Sequence, residues 1–283
     1  MFSKNIWRGL GLRKFAILGT LCLVMASCVA SSQAQTKTKP RVRPNDDTDC
    51  TFSFSSGSNN TFLQFCVADT GNITRIETPV GHELLTDGGG TDGYAICDQD
   101  PQTGYFDYGI LNGDSGNWQQ PVTLSNTSKS VKIARTTSDG IWTLTQTITQ
   151  VPATPAIQVV MALKNNSALS KTAYLSRWAD INVDGTTSND FSATRNSAAG
   201  WIPTIPFANN FGAGLQLENS GNSQFGSVSG YAQMHFDGPS PCNFAGDASG
   251  TPIVSDDGSV VMTYVDTIGP RKTKTATMIY KGF

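Results

Sequence analysis

The sequence predicts an all-β protein, a large antiparallel β-sandwich. Trp142, Leu144 and Ile148 share one parity, with threonines between them, and this period-2 alternation is typical of strands that bury one face. Glycine (28 residues) and proline (13 residues) interrupt the alternating stretches, as short strands joined by turns require. Glutamate occurs only three times, and no stretch of a dozen residues sustains a helical apolar stripe.

Residues 1–34 are predicted to be a cleavable signal peptide. Four basic residues and no acidic residue lead into an apolar stretch at 15–30, and Ser32-Gln33-Ala34 supplies the small residues of a cleavage site. The stretch is about 16 residues long, shorter than the roughly 20 that cross a bilayer. Cleavage after Ala34 is therefore favoured. The alternative is lipid attachment at Cys28, since Val24-Met25-Ala26-Ser27-Cys28 resembles a lipobox that has Met in place of the usual Leu.

The rest of the chain divides into a short linker and one domain. Residues 35–49 are polar, contain Pro40 and Pro44 and show no periodicity, so they are predicted to be a flexible linker. Residues 50–283 are predicted to form a single β-sandwich domain.

Within the domain, the strongest strand patterns fall in the middle and at the end. Residues 129–182 predict four consecutive long strands, a meander at the centre of a sheet. Residues 84–118 and 184–230 are rich in Gly, Asp, Asn and Ser, which predicts long loops with short strands. Residues 259–268 and 272–280 are predicted to close the sheet.

The charge balance argues against nucleic acid as a partner. Without residues 1–34 the chain keeps 16 basic and 22 acidic residues, a net charge of −6 rather than −2. Nucleic-acid binding needs a clustered positive surface to neutralise phosphates. The membrane is a predicted partner only in the lipid-anchored case, through Cys28.

Four cysteines follow the leader, and they are predicted to form two disulfides. An even number of cysteines in an exported chain indicates disulfide bonds. A hairpin centred near Ser58 would place Cys50 opposite Cys66, at the Cα separation of about 4.5 Å that a disulfide accepts. Cys97 and Cys242 then form the second bond. The chain has no CxxC motif and only two histidines, which disfavours zinc.

The sharpest local motif suggests calcium. Asp180, Asn182, Asp184 and the following Gly185 match the first half of an EF-hand-type loop, with Asp190 as a further oxygen ligand. The twelfth position holds Phe191 rather than the usual Glu. A turn at a strand end, in which Asp and Asn bond their own backbone, is the alternative, so the predicted cofactor is either none or calcium.

A second candidate site is a carbohydrate-facing surface. Aromatic residues and aspartates share the Gly-rich loops, and a sugar is bound by aromatic faces together with a few polar groups. The alternative is that the rings are anchors of the core and the aspartates form turns. The residues predicted to bind the ligand are Tyr105, Tyr108, Trp118, Asp98 and Asp107.

The histidines, the chain length and the strand density together suggest a resemblance to a known fold. His82 precedes Glu83, and His235 lies in an alternating segment. Chain length and strand density are similar to those of β-supersandwich proteins of the aldose-epimerase kind, which use histidines and a carboxylate on a sheet. No motif of that family matches this chain residue by residue, so no site residue is transferred.

Two functional hypotheses follow. The first is an exported, non-catalytic β-sandwich with a binding or structural role at the cell surface or in the periplasm, whose partner is a glycan or another surface protein. The second is a secreted carbohydrate-active enzyme that uses loop carboxylates. The chain contains no GxSxG nucleophile motif and few histidines, which favours the first. No catalytic residue is assigned.

Overall fold

The structure is a computed structural model that describes residues 50–85, 92–109, 114–202, 213–234, 240–243 and 253–283. The predicted signal peptide, the linker, Cys28 and His235 lie outside the described residues. Among those that are described, the elements are seventeen β-strands and three 3-10 turns at Asn59–Thr61, Val183–Gly185 and Pro241–Asn243. None of the described helices is long and apolar enough to span a bilayer.

The strands form three antiparallel sheets. The large sheet has nine described strands, in the spatial order β15 (Ile253–Asp256), β11 (Asn189–Thr194), β12 (Ser197–Ile202), β13 (Ala213–Asn219), β17 (Thr273–Gly282), β9 (Ala156–Asn165), β8 (Trp142–Val151), β7 (Ser130–Thr136) and β6 (Val122–Asn126). The small sheet has five, in the order β14 (Ser227–Met234), β16 (Gly258–Ile268), β10 (Lys171–Asp180), β4 (Asp92–Asp98) and β5 (Thr103–Asp107). The hairpin sheet has three: β1 (Phe52–Ser56), β2 (Leu63–Val67) and β3 (Ile73–Glu77). This arrangement confirms the prediction of a large antiparallel sandwich.

The large and small sheets share one hydrophobic core. The strict alternation of β8 places Trp142, Leu144 and Ile148 in the core and leaves its threonines half-buried on the opposite side. Leu175 of β10 and Met262 of β16 enter the same core from the small sheet. We call the side of the small sheet that carries Leu175 and Met262 its core face, and the opposite side its outer face.

One predicted element is placed differently. Residues 129–182 form a meander only as far as β9, because β9 pairs with β17 at the end of the chain. The fourth strand, β10, crosses to the small sheet and pairs with β16 and β4. The alternation in sequence gives the parity of each strand but does not specify the sheet to which the strand belongs.

Both predicted disulfides are present. Cys50 and Cys66 are joined with a Cα–Cα distance of 5.3 Å, although the register of β1 and β2 places Ser53 rather than Cys50 opposite Cys66. The 3-10 turn at Asn59–Thr61 moves the centre of the hairpin later in the chain than Ser58. Cys97 and Cys242 form the second bond. Two disulfides are typical of a protein that folds in an oxidising compartment.

A buried ion pair within the small sheet forms hydrogen bonds with the large sheet across the core. Arg177 of β10 and Asp92 of β4 are fully buried and form a salt bridge. The Tyr280 hydroxyl of β17 donates to Asp92 at 2.5 Å, and Gln146 of β8 accepts from Arg177. Burial lowers the pKa of Arg177, but the adjacent carboxylate of Asp92 outweighs this effect and raises it, so the guanidinium stays charged.

Replacing Asp92 with Asn should lower the free energy of unfolding by about 3–5 kcal/mol, because it leaves a buried guanidinium without its counter-charge. Urea denaturation followed by tryptophan fluorescence measures the change. Asp69→Asn, at an exposed acidic residue, is the matched control and should stay within about 0.5 kcal/mol of the parent protein. Equal effects of the two substitutions would show that the ion pair is not required.

Candidate functional site

The outer face of the small sheet is buried to an unusual extent. An antiparallel sheet in a sandwich normally packs one face on the core and leaves the other to solvent. Here all seven residues of β4 and the first seven of β16 are buried, so these strands are covered on both sides. A separate apolar cluster lies on the outer face and is formed by Ala95, Tyr108, Trp178 and Val261.

Strand register arranges the outer face in rows that cross the sheet. One row runs from Tyr231 of β14 through Val261 and Trp178 to Gly93 of β4. Tyr108, which follows β5, continues this row and meets Trp178 edge to face with their ring centroids 5.8 Å apart. Tyr231 is half-buried, whereas Trp178 and Tyr108 are fully buried. We call these residues the aromatic row.

Glycine at position 93 allows Tyr108 to approach the sheet. A Cβ added to Gly93 would lie 2.8 Å from the Cα of Tyr108 and 2.9 Å from its ring. Phe106, half-buried on β5, stacks on the Tyr108 ring with a centroid distance of 4.6 Å. The absence of a side chain at Gly93 therefore allows the Tyr108 ring to pack directly against the sheet, with Phe106 stacked on it.

The next row carries hydroxyl groups. Ser229, Thr263 and Ser176 lie side by side on β14, β16 and β10. The hydroxyls of Ser176 and Thr263 are 3.0 Å apart and bond each other. On the opposite side of the aromatic row, Asp180 pairs in register with Ser259. Polar groups thus flank the aromatic row on both sides.

A disulfide fixes one end of this face. Cys97 of β4 is bonded to Cys242, which holds the Pro241–Asn243 turn against β4 and β5. A Cβ at Gly104 would lie 2.9 Å from the Cγ of Pro241, so glycine allows this close contact as well. The second disulfide therefore gives the outer face a fixed boundary.

The structure separates the residues that were predicted to bind a ligand. Only Tyr108 lies on the outer face. Tyr105 and Trp118 belong to the main core, and Asp107 lies beside them in an ionic network. Asp98 is fully buried, where it accepts from the indole of Trp142 at 3.2 Å and pairs with Lys171 at 2.8 Å. All five side chains are less than 10% exposed, and a role for them in ligand binding stays a prediction.

Arg135 of β7 organises the network around Asp107. Its guanidinium lies 2.7 Å from Asp107 and 2.5 Å from Asp114, so one cation holds two carboxylates. It also donates to the Tyr94 hydroxyl at 3.0 Å and lies 5.1 Å from the centre of the Trp118 ring. Asp114 is the accessible member of the network, with 34% of its side chain exposed.

The residues predicted to bind calcium make contacts with different parts of the protein. Asp184, at a φ of 54°, lies in the turn Val183–Gly185, and its carboxylate accepts from the backbone of Glu83 at 3.1 Å and meets His82 Nδ1 at 2.8 Å. Asp190 accepts from the backbone of Ser255. Asn182 is buried and Asp180 is half-buried on the outer face. Among the described residues, no group of three or more His, Cys, Asp or Glu side chains is placed to hold a metal, and calcium stays a prediction.

Glu83 is the centre of the contacts that hold the 78–85 segment. Its carboxylate accepts from the backbone of Ile76 at 2.8 Å and from Arg75 at 3.0 Å. Arg75 also bonds Glu77 at 2.8 Å. Burial raises the pKa of Glu83 to about 8, against the lowering effects of the Ile76 amide and Arg75.

Sequence reasoning missed most of the outer face. Trp178, Ser176 and Ser259 are single residues in ordinary strands, and no motif marks them. The available signal was the almost continuous apolar stretch 260–265, because a strand buried on both faces loses the alternation of a half-buried strand.

Solved structures share the fold of this chain, but the chain is not assigned to a family. No family model and no curated protein matches the sequence. Among solved structures, a bacterial glucoamylase complexed with acarbose is similar at a TM-score of 0.52 and 10% identity over 81% of this chain, which spans about a third (32%) of the glucoamylase chain. A galactose mutarotase-like protein from Lactobacillus casei ATCC 334 matches at 0.49 and 10% identity, covering 82% of this chain and 100% of that one. A candidate aldose 1-epimerase from Escherichia coli K12 matches at 0.45 and 12% identity, covering 82% and 99%.

Replacing Gly93 with Ala should destabilise the protein by about 1–3 kcal/mol, because the new methyl group overlaps Tyr108. Urea denaturation and near-ultraviolet circular dichroism measure the loss of stability and of ring packing. Gly269→Ala is the control, since its Cβ would make only an ordinary contact, 3.5 Å from Lys272. A spectrum unchanged by Gly93→Ala would contradict the packing described for the aromatic row.

The pKa of Glu83 predicts how stability depends on pH. The folded pKa of about 8 lies above the unfolded value of 4.5, so the folded state keeps a proton that the unfolded state releases. This contribution to stability is complete below pH 4.5 and is lost as the pH rises through about 8. Urea unfolding at several pH values should show this decline in the parent protein and a flatter profile in Glu83→Gln. Glu218→Gln, at an exposed glutamate, should keep the parent profile. The same slope in Glu83→Gln would refute the assignment.

Proposed function

We propose that this protein is an exported, non-catalytic β-sandwich that binds a carbohydrate on the outer face of its small sheet. The observation that carries the proposal is the aromatic row, flanked by hydroxyls on one side and by Asp180 and Ser259 on the other. The protein acts at the cell surface or in the periplasm, and the membrane is a partner only if Cys28 carries a lipid.

The chemistry of the face supports a sugar as ligand. The ring faces of aromatic residues cover the C–H surfaces of a sugar, while hydroxyl and carboxylate groups bond its hydroxyls. Tyr231 and Phe106 are the half-buried members of the aromatic cluster, so they are the rings best placed to meet a ligand. A face without polar groups would instead favour an apolar ligand or a protein surface.

The placement of the carboxylates supports a binding role. Glycoside hydrolysis by the usual route needs two carboxyl groups on either side of the scissile bond. Among the described residues, the outward positions of the small sheet hold one carboxylate, that of Asp180. Asp92 and Asp98 are engaged in buried ion pairs on the core side.

The comparison with the glucoamylase adds limited support. That protein shares the fold and was solved with acarbose bound. The identity of 10% transfers no residue and no activity to this chain. It is consistent with the use of this architecture in proteins that handle carbohydrates.

A secreted carbohydrate-active enzyme is the second candidate, and one observation favours it. Asp107 and Asp114 are held by the same guanidinium beside Trp118. Burial raises the pKa of Asp107, and the charge of Asp114 raises it further, although hydrogen bonds and Arg135 oppose this. A carboxyl with a raised pKa next to an accessible one resembles an acid and base pair.

Titration calorimetry with neutral oligosaccharides tests the proposal. The parent protein should bind at least one of them, and Tyr231→Ala should weaken that binding about tenfold, by about 1.4 kcal/mol. Trp201→Ala, at a half-buried aromatic residue of the large sheet, is the control and should bind like the parent. Absence of binding by the parent protein, or equal binding by Tyr231→Ala, would refute the site. Release of sugar products, lost in Asp114→Asn, would instead establish the enzyme.

A further inference from the structure

Strand β6 forms one edge of the large sheet and is exposed along its whole length. It pairs with β7 on one side, and no described strand pairs with it on the other. All five of its residues, Val122–Asn126, are exposed. The backbone N–H and C=O groups on the outer side of such a strand are able to pair with a further strand.

This edge also carries apolar side chains. Val122 is 56% exposed and Leu124 is 52% exposed. Among the described residues, four large apolar side chains are more than half exposed, and these are two of them. A single exposed apolar residue is normal, whereas two of them on an unpaired edge strand mark a place where another strand can add.

Edge strands are usually protected from pairing by charged side chains, and β6 has none. The sequence from Ser115 to Ser128 contains no Asp, Glu, Lys, Arg or His. At the other described edge of the same sheet, β15 is only four residues long and ends at Asp256, which Asp257 follows. Short length and charge both block the edge of a sheet. The β6 edge is therefore the less protected of the two.

Two features limit the length over which β6 can pair. Its register with β7 shifts by one residue between Thr123 and Ser125, which is a β-bulge. Pro121, immediately before the strand, has no backbone N–H to donate. A pairing on this edge is therefore short, and an interface of that size forms reversible complexes rather than permanent ones.

We propose that β6 pairs with β6 of a second copy of this chain, around a two-fold axis at Thr123. A two-fold axis perpendicular to the sheet makes two identical edge strands antiparallel, which continues the antiparallel order of the large sheet. Pairing of β6 with β15 of the next copy, with the faces of the sheets aligned, would be parallel, because nine antiparallel strands give both edges the same direction. Parallel pairing is slightly less stable for each residue.

The sequence of β6 favours pairing with itself. With Thr123 at the axis, Val122 of each copy lies opposite Leu124 of the other copy, so two apolar pairs form across the axis. Two-fold symmetry brings each part of the strand close to its own copy, and a strand with charges near the axis would repel itself. The uncharged stretch avoids this repulsion, whereas a charged partner strand would find no complementary charge on it.

The pairing would give the protein two copies of its candidate sugar site on one side. A two-fold axis perpendicular to the large sheet keeps both small sheets on the same side of it. Two faces on the same side can bind one long glycan, which strengthens binding without any new contact. The dimer itself does not depend on the proposed function and can form whether or not the outer face binds a sugar.

Sedimentation velocity at protein concentrations up to about 1 mM, which covers weak complexes, tests the proposal. The parent protein should shift from monomer to dimer as its concentration rises. Thr123→Lys and Thr123→Glu should each weaken the dimer at least about tenfold, because the new charge meets its own copy at the axis. An equimolar mixture of the two variants should dimerise again, since opposite charges then face each other. Thr123 is exposed, so both variants should keep the melting temperature of the parent.

Ser53→Lys, at an exposed position of the edge strand β1, is the matched control and should dimerise like the parent. Thr123→Cys should form a disulfide between copies, since paired Cα atoms lie about 4.5–5.5 Å apart. A parent protein that stays monomeric throughout would overturn the proposal, and this result is expected if another segment of the chain covers the edge. A dimer that Thr123→Lys leaves unchanged, or a mixture of the Lys and Glu variants that stays monomeric, would place the interface elsewhere and would also overturn it.

Discussion

The ion pair between Arg177 and Asp92 is the interaction on which the arrangement of the two sheets depends. Arg177 lies on β10, and its partners belong to β4 of the small sheet, to β8 and β17 of the large sheet, and to the backbone at Gly71. Charge and hydrogen bonds inside an apolar core must be satisfied together, because a partner lost there leaves an uncompensated buried group. The observed placement of the sheets satisfies all of these groups at once. The bonds from Arg177 to Tyr280 and Gln146 therefore stabilise the position of the small sheet on the large one.

This constraint reaches the candidate site through the pleat of a strand. Successive side chains point to opposite faces, so Arg177 on the core face requires Ser176 and Trp178 on the outer face. A slip of one residue would place the guanidinium outside and the indole in the core, and it would break every contact of the ion pair. The aromatic row and the hydroxyl row are in this sense consequences of the buried charge. The register of β10 with its neighbours therefore determines both the composition of the outer face and the position of the salt bridge.

The sequence predicted those features that depend on local alternation or on the number of cysteines. The strands β8 and β9 and both disulfides belong to this group. It could not predict the crossing of β10 to the other sheet, because pairing partners distant in the chain leave no local pattern. It could not predict that Tyr105 and Trp118 are buried while Tyr231 is half-exposed, since loop aromatics and strand aromatics look alike before the sheets are assembled. Asp184 shows a related limit. A run of oxygen ligands in sequence does not determine whether the carboxylate faces a metal or, as here, the backbone of Glu83 and the ring of His82.

The outer face also depends on two residues that have no side chain. Gly93 lets Tyr108 lie against the sheet, and Gly104 lets Pro241 do the same at the other end, where the bond between Cys97 and Cys242 holds it. A side chain at either position would lift the covering segment away, because packed atoms cannot approach closer than their van der Waals contact. A plain sheet needs neither glycine, so their positions indicate that a covered and bounded face is required.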